Sequence, residues 1–212
     1  MKMIADEIKR TRKQFFNDHA EKWLDMWYKD PTTGRYDKHA KDFDRLFSLL
    51  SLKPGDHVLD VGCGTGVLVP FILERITPNG ILYELDFAEK MIETNRRLHP
   101  QENIHFIISD AENAPLEEAS CDLVICFSCF PHLQDKEKAM GVISRILKPI
   151  GTFVISHFAS SEELKKHHES CHAVMHDHLP DQMAIRALFQ KVNLKIEMFL
   201  DEPGFYYLSA RK

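Results

Sequence analysis

From Lys53-Pro-Gly55 onward, short apolar runs alternate with longer stretches in which apolar residues return every three or four positions. The runs His57–Val61, Ile81–Leu85, Ile104–Ile108, Leu123–Phe127 and Thr152–Ser156 have the length and β-branched content of buried strands. Between them, Val67–Ile76, Ala88–Leu98 and Lys136–Leu147 carry helical spacing, the last closing before Pro149. Such alternation predicts right-handed crossovers and a parallel sheet with helices on both faces, an α/β fold. The end of the chain breaks the rhythm. A helical stretch over Gln182–Val192 leads into a strand over Leu194–Leu200, and only Asp201-Glu-Pro-Gly204 separates it from another over Phe205–Ala210. Four residues cannot carry a parallel crossover, so these two strands form an antiparallel hairpin. Ahead of the alternation, Ile4, Ile8, Phe15, Phe16, Trp23, Leu24, Trp27 and Tyr28 fall at mostly helical separations. Pro31-Thr-Thr-Gly34 reads as a turn, and Phe43, Leu46, Phe47, Leu49 and Leu50 mark a second amphipathic helix.

Length and composition narrow the classes. With 212 residues, one domain with a cap is expected (residues 1–212), large enough to bury a core without disulfide staples. A 44% hydrophobic and 28% charged chain is neither disordered, collagenous nor a coiled coil as a whole. The 27 basic against 32 acidic residues leave a net charge of −5, which argues against nucleic acid as a partner. The longest nearly apolar run, Leu123–Leu133, is too short to span a membrane. The first residues are charged and show no apolar signal region. Five cysteines without such a signal predict reduced thiols and a cytoplasmic protein; separately, a monomer or homodimer is expected.

The sharpest chemical signal is Val58-Leu-Asp-Val-Gly-Cys-Gly-Thr-Gly66, at the end of the first strand and the start of a helix. Gly62, Gly64 and Gly66 let the main chain turn sharply and approach a ligand. Their spacing is G-x-G-x-G, with Val67 where a dinucleotide loop has its last glycine, and no Lys-Ser/Thr pair completes a phosphate loop. Asp60 adds negative charge beside the loop, which suits a cationic ligand better than a pyrophosphate and disfavours a nicotinamide cofactor. Asp86 ends the second strand, where a carboxylate can accept from both hydroxyls of a ribose. Asp110-Ala111 follows the third strand, suited to an adenine amino group, and Phe127 ends the fourth, where an aromatic ring can stack. All lie at carboxyl ends of strands, around the crevice expected of a doubly wound sheet.

The set Asp60-Val-Gly-Cys-Gly-Thr-Gly66, Asp86, Asp110-Ala111 and Arg145-Ile-Leu-Lys-Pro-Ile-Gly151 resembles the class I S-adenosylmethionine-dependent methyltransferases, in their type 11 or ubiquinone-biosynthesis-like subgroup, over about residues 43 to 160. The resemblance implies a Rossmann-like seven-stranded sheet of order 3-2-1-4-5-7-6, the seventh strand antiparallel, with a small helical cap. It implies that S-adenosyl-L-methionine lies with its methionine part on Asp60 and the loop of Gly62, Cys63, Gly64 and Gly66, its ribose on Asp86, and its adenine on Asp110 with Ala111; Phe87 and Phe127 are further cofactor-binding candidates. It also implies an N-terminal lid (residues 1–50) in which His19, Trp23 and Tyr36 close over the cofactor. One departure is Ile150, where the family usually has glycine; this affects the turn before strand five.

Five of the 12 histidines crowd into residues 167–178, within a cap expected over 158–180. If that segment is helical, His168, His172 and His176 share a face. Neighbouring members could chelate an ion such as zinc, completed by His157, Cys126, Cys129 or His132, with Asp177 as a ligand or as the group orienting a histidine. His132 and His157, near the expected methyl position, are the acid/base candidates. The function expected is therefore methyl transfer to a small-molecule acceptor, metal-assisted or with a metal-containing substrate. Two alternatives stand beside it: an arsenite-like metalloid methyltransferase using Cys126, Cys129 and Cys171, and a non-catalytic sensor of S-adenosylmethionine or metal.

Overall fold

A computed structural model of the chain describes residues 2–212; the side chain of Ile4, counted above in the N-terminal pattern, lies outside the described residues. Three helices come first: α1 (Lys2–His19), then a 3-10 turn and α2 (Trp23–Trp27), then α3 (Ala40–Ser48). The alternating region follows as β1 (His57–Val61), α4 (Val69–Ile76), β2 (Ile81–Asp86), α5 (Glu89–Leu98), β3 (Ile104–Ile108), β4 (Cys121–Phe127), α6 (Lys136–Ile146) and β5 (Leu147–His157). The chain ends with α7 (Ser161–Glu169), α8 (Gln182–Lys191), β6 (Lys195–Glu202) and β7 (Phe205–Arg211).

The seven strands form one sheet in the order β3-β2-β1-β4-β5-β7-β6. Pairing is parallel from β3 to β5, and β7 is antiparallel to both β5 and β6. Successive side chains of a strand point to opposite faces, and two cores result. Leu59, Val124, Phe153 and Ile155 meet α6 and α8 on one face. Val58, Leu123, Ile125 and Val154 meet α3 and α4 on the other.

Helix starts follow local chemistry. Asp135 accepts from the Lys138 amide to begin α6, Ser160 and Glu163 form a reciprocal capping box for α7, and Asp181 accepts from the Ala184 amide for α8. The α5 helix has no side-chain cap of its own: Asn17 of α1 reaches across to accept from the Lys90 amide at 3.0 Å. Strand β5 begins earlier than periodicity suggests, at Leu147, and Ile150 within it has φ +64°. A β-branched residue is strained in that left-handed region, where the glycine usual in the resembling family is at ease.

The helical pattern expected through the histidine cluster is not what forms. α7 ends at Glu169, and residues 170–181 run as turns that bury Val174 and Asp177 while leaving His172 and His176 exposed. Inward packing of Val174 and Asp177 replaces helix continuation, so the i, i+4, i+8 face does not exist.

Candidate active site

The order of the sheet places the ends of β1, β2 and β4 side by side, and a cleft opens above them. Its floor is the glycine loop. Gly62, Gly64 and Gly66 have φ of +69°, +54° and +83°. A Cβ on Gly62 would overlap that of Cys129, and one on Gly66 would overlap the Asn95 amide, so those two glycines permit close packing beneath the loop. A Cβ on Gly64 would instead face the Trp23 indole nitrogen 3.6 Å away, on the cleft side. The loop is tied to β2: the amides of Gly62 and Cys63 donate to the Leu85 carbonyl at 2.7 and 3.1 Å.

Three buried carboxyl groups stand under and beside this loop. Asp86 accepts from the Gly64 amide through Oδ2 at 3.0 Å and from the Ala88 amide through Oδ1 at 2.8 Å. Burial pushes its carboxyl up to about 6, against the pull of those backbone donors. Glu84 lies deeper, accepting from the Asn95 amide at 2.6 Å, and burial raises it to about 8. Asp60 sits beside Glu84 in the β1–β2 register; its carboxyl is raised by burial and then by the Glu84 charge. Oδ1 of Asp60 has no hydrogen-bond partner, although the residue is 1% exposed and lines the cleft.

The cleft encloses about 730 Å³, mouth included. Phe16, Trp23 and Tyr28 come to it from the N-terminal segment, Phe87 and Met91 from the start of α5, and Phe127, Cys129, His132 and Leu133 from the end of β4. A second pocket adjoins it, sharing Gly62, Asp86, Phe87, His132 and Leu133 and extending to Asp110 and Ala111. Lys9 of α1 spans this pocket and donates to Asp110 Oδ2 at 2.6 Å.

Most of the residues singled out from the sequence therefore converge. Trp23, Asp60, Gly62, Cys63, Gly64, Asp86, Phe87, Phe127 and His132 line the main cleft, with Asp110 and Ala111 in the adjoining pocket. Gly66 lies behind the loop, against Asn95 and His99. Tyr36 lies outside: it is 60% exposed and donates its hydroxyl hydrogen to Asp25, because residues 28–39 loop away over the surface. Tyr28 lines the cleft instead. Burial and the nearby Asp60 charge push its phenol upward. His19 donates from Nδ1 to the Phe15 carbonyl at 2.7 Å within its own helix and does not line the cleft. His157 is buried behind the cleft, its Nε2 unpartnered and its ring held neutral with a pKa of about 3.

The metal reading fails on geometry. Only His168 of its three histidines is buried, and among the described residues no three or more His, Cys, Asp or Glu side chains are arranged to hold an ion. The cysteine set is equally dispersed: Cys129 donates to the Val61 carbonyl at 2.6 Å under the loop, whereas Cys171 lines a separate surface pocket beside α1.

A buried polar knot stands at the cleft wall, in which Asp177 faces a histidine, one of the two roles expected of it above, and Arg12 is the member that sequence reasoning missed. Arg12 of α1 donates to the Asp177 carboxylate, and through its other terminal nitrogen to the His132 carbonyl at 2.6 Å. His132 Nδ1 is 2.7 Å from the second oxygen of Asp177, and His168 Nδ1 is 2.7 Å from the Asp177 carbonyl. The side chains of Arg12 and Asp177 are 5% and 3% exposed. Burial lowers the His132 pKa, opposed by Asp177.

Residues 52–196 match a family described as a methyltransferase domain. The chain is 30% identical over 141 residues to a malonyl-[acyl-carrier protein] O-methyltransferase of a Marinomonas species, covering 61% of this chain and 52% of that protein. It is 26% identical over 153 residues to a demethylmenaquinone methyltransferase of Symbiobacterium thermophilum, covering 70% and 59%. The chain thus spans about half the length of these curated relatives. Among solved structures, a chain from the Haloferax volcanii complex of the Trm112 methyltransferase activator with a methyltransferase superposes with TM-score 0.75 at 20% identity, covering 92% of this chain and 96% of that one. A SAM-dependent methyltransferase from Aquifex aeolicus superposes with TM-score 0.69 at 18% identity, covering 92% and 97%. Both share the fold.

Proposed function

Because the chain belongs to the methyltransferase-domain family that it matches over residues 52–196, we propose that it transfers a methyl group from S-adenosylmethionine to a small-molecule acceptor. The observation that carries this reading is the orphaned Oδ1 of Asp60, buried in a cleft floored by glycines of positive φ. A buried carboxyl oxygen without a donor is costly until a ligand supplies one, and a nucleoside bearing an ammonium and a sulfonium supplies both donors and positive charge. Asp86 then takes the ribose hydroxyls. Asp110 has Lys9 on Oδ2, leaving Oδ1 for the adenine amino group beside Ala111.

When bound, this cofactor supplies a methyl group already activated on sulfur and departs as a neutral thioether. The chain's own task is to align the acceptor, exclude water and manage a proton. Phe16, Trp23 and Tyr28 roof the cleft and act as the lid. His132 is the base, its imidazole on the cleft wall and kept neutral by burial. His157, behind the wall and neutral, supports rather than reacts. The unit is a single domain whose N-terminal 50 residues and 158–180 segment cover the sheet edge. No helix among the described residues is long and apolar enough to cross a membrane.

Isothermal calorimetry with S-adenosylmethionine and S-adenosylhomocysteine tests the reading, followed by turnover on a panel of hydroxyl, amine and carbon-acid acceptors. Saturable binding of both at one site per chain is expected. A folded protein that gives no heat with either compound overturns it.

A further inference from the structure

We propose that Asp177, locked in place by Arg12, is the positioning residue that fixes His132 in the tautomer with its proton on Nδ1 and its lone pair on Nε2, so that the site serves acceptors whose attacking atom carries a proton. This rests on the methyltransferase reading above and adds to it a device and a substrate class.

The argument is geometric. A carboxylate can only accept, so the 2.7 Å contact places the hydrogen on Nδ1 of His132. The other carboxylate oxygen is taken by Arg12, whose second contact, to the His132 carbonyl, holds the same residue by its main chain. Asp177 therefore has no freedom to turn away. Its own carbonyl is held by His168 at 2.7 Å, a second tie on the same residue, and the His168 ring lies 5.2 Å from that of His132. The side-chain hydrogen bond of His132 among the described residues is made by Nδ1, and the residue lines both the main cleft and the adjoining pocket. The ring also packs against Phe16 in a T-shaped contact, 5.7 Å between centroids.

The proton balance follows. The acceptor's electron pair forms the new bond to the methyl carbon, the carbon–sulfur pair stays with sulfur, and the acceptor's proton passes to Nε2. Positive charge so leaves the sulfonium and arrives on the imidazole, 2.7 Å from the Asp177 carboxylate that stabilises it. The proton then returns to water as the product leaves. A hydroxyl, a protonated-nitrogen or a carbon acid uses this machinery. A thiolate or a tertiary amine gives up no proton and is indifferent to it.

The test reads the tautomer directly. Nitrogen-15 long-range correlation spectra of the labelled full chain with S-adenosylhomocysteine identify the His132 ring by its loss in His132→Gln. The wild-type ring is expected in the Nδ1–H form at pH 7.5. In Asp177→Asn, Arg12 retains the side-chain oxygen and turns the amide nitrogen toward His132, so the ring is expected to invert to Nε2–H. In the double variant Arg12→Met, Asp177→Asn, the amide is free to present its oxygen and the Nδ1–H form returns. That reversal is not expected of a residue that merely holds the fold, and the double variant also removes the buried unpaired guanidinium should the single variant fail to fold. On an acceptor with a transferable proton, Asp177→Asn lowers kcat at least a hundredfold with KM for the cofactor nearly unchanged, the scale of a lost general base. An Nε2–H wild-type ring, or a double variant that keeps whatever form Asp177→Asn shows, overturns the proposal. Heat of S-adenosylhomocysteine binding, measured on the same samples, reports separately on the cofactor reading: its absence sinks that reading and leaves the tautomer result standing.

Discussion

Replacing Asp86 by Asn separates what this carboxylate does for the fold from what it does for a ligand. Its two oxygens accept from Gly64 and Ala88 at 3.0 and 2.8 Å, and an amide can accept at only one of them, leaving a buried donor facing a donor at a cost of about 1–3 kcal/mol. Against this stands the charge. A carboxyl raised from 3.8 to about 6 is disfavoured as an anion at pH 7.5 by about 3 kcal/mol, which the neutral amide escapes. The two effects nearly cancel, so the melting temperature at pH 7.5 is expected to stay within a few degrees of wild type. Affinity does not share the cancellation. Charge-assisted hydrogen bonds to ribose hydroxyls contribute roughly 1.5–3 kcal/mol, so Kd for S-adenosylmethionine rises about 10- to 150-fold. The sign with pH follows from the raised carboxyl. Its contribution to stability is present below 3.8 and lost as pH rises through about 6, while ligand binding needs the anion and weakens as pH falls below about 6. Calorimetry at pH 7.5 and 5.5, with thermal melts alongside, measures both. A folded Asn variant that binds within threefold of wild type at pH 7.5 refutes the ribose assignment.

Three other perturbations test separate parts of the argument. Glu84→Gln keeps an acceptor for Asn95 and removes a carboxyl whose stabilising form is lost as pH rises from 4.5 through about 8; melts should favour the variant by up to about 4 kcal/mol at pH 7.5 and converge near pH 4.5, and parallel curves would sink the account. Ile150→Gly relieves a left-handed β-branched residue that is 77% exposed, gaining about 1–2 kcal/mol less up to about 1 for glycine's entropy, so the melting temperature rises by up to roughly 8 °C; a fall contradicts the strain reading. Trp23→Ala weakens cofactor binding about tenfold through loss of an aromatic wall, whereas Tyr36→Phe, outside the cleft, leaves it unchanged; equal effects would mean that the lid closes differently.

The strands and helices of the alternating region were readable because each buries a face whose period is local: His57–Val61, Ile104–Ile108 and the α5 and α6 stretches lie within a residue or two of where the pattern puts them. The terminal hairpin followed from loop length alone, as Asp201–Gly204 admits no crossover. Residues 167–178 misled for the opposite reason. Histidine spacing of four is informative only if a helix persists, and α7 stops at Glu169 once Val174 and Asp177 are drawn inward. Tyr36 and Tyr28 are both aromatic residues near a turn, and nothing within the turn says which one the chain swings over the cleft.

Taken alone, the sequence determined a doubly wound sheet, a glycine loop at the end of β1 and a run of carboxylates at successive strand ends, since each of these is encoded by neighbours within one turn or one strand. Only the tertiary structure decided that Arg12, His132 and Asp177 would meet, with 165 positions separating the first from the last. Hydrogen bonds between such distant residues leave no periodicity in the chain. They arise because α1 and the segment after α7 are both packed over the same sheet edge, where a buried guanidinium, carboxylate and imidazole must satisfy one another.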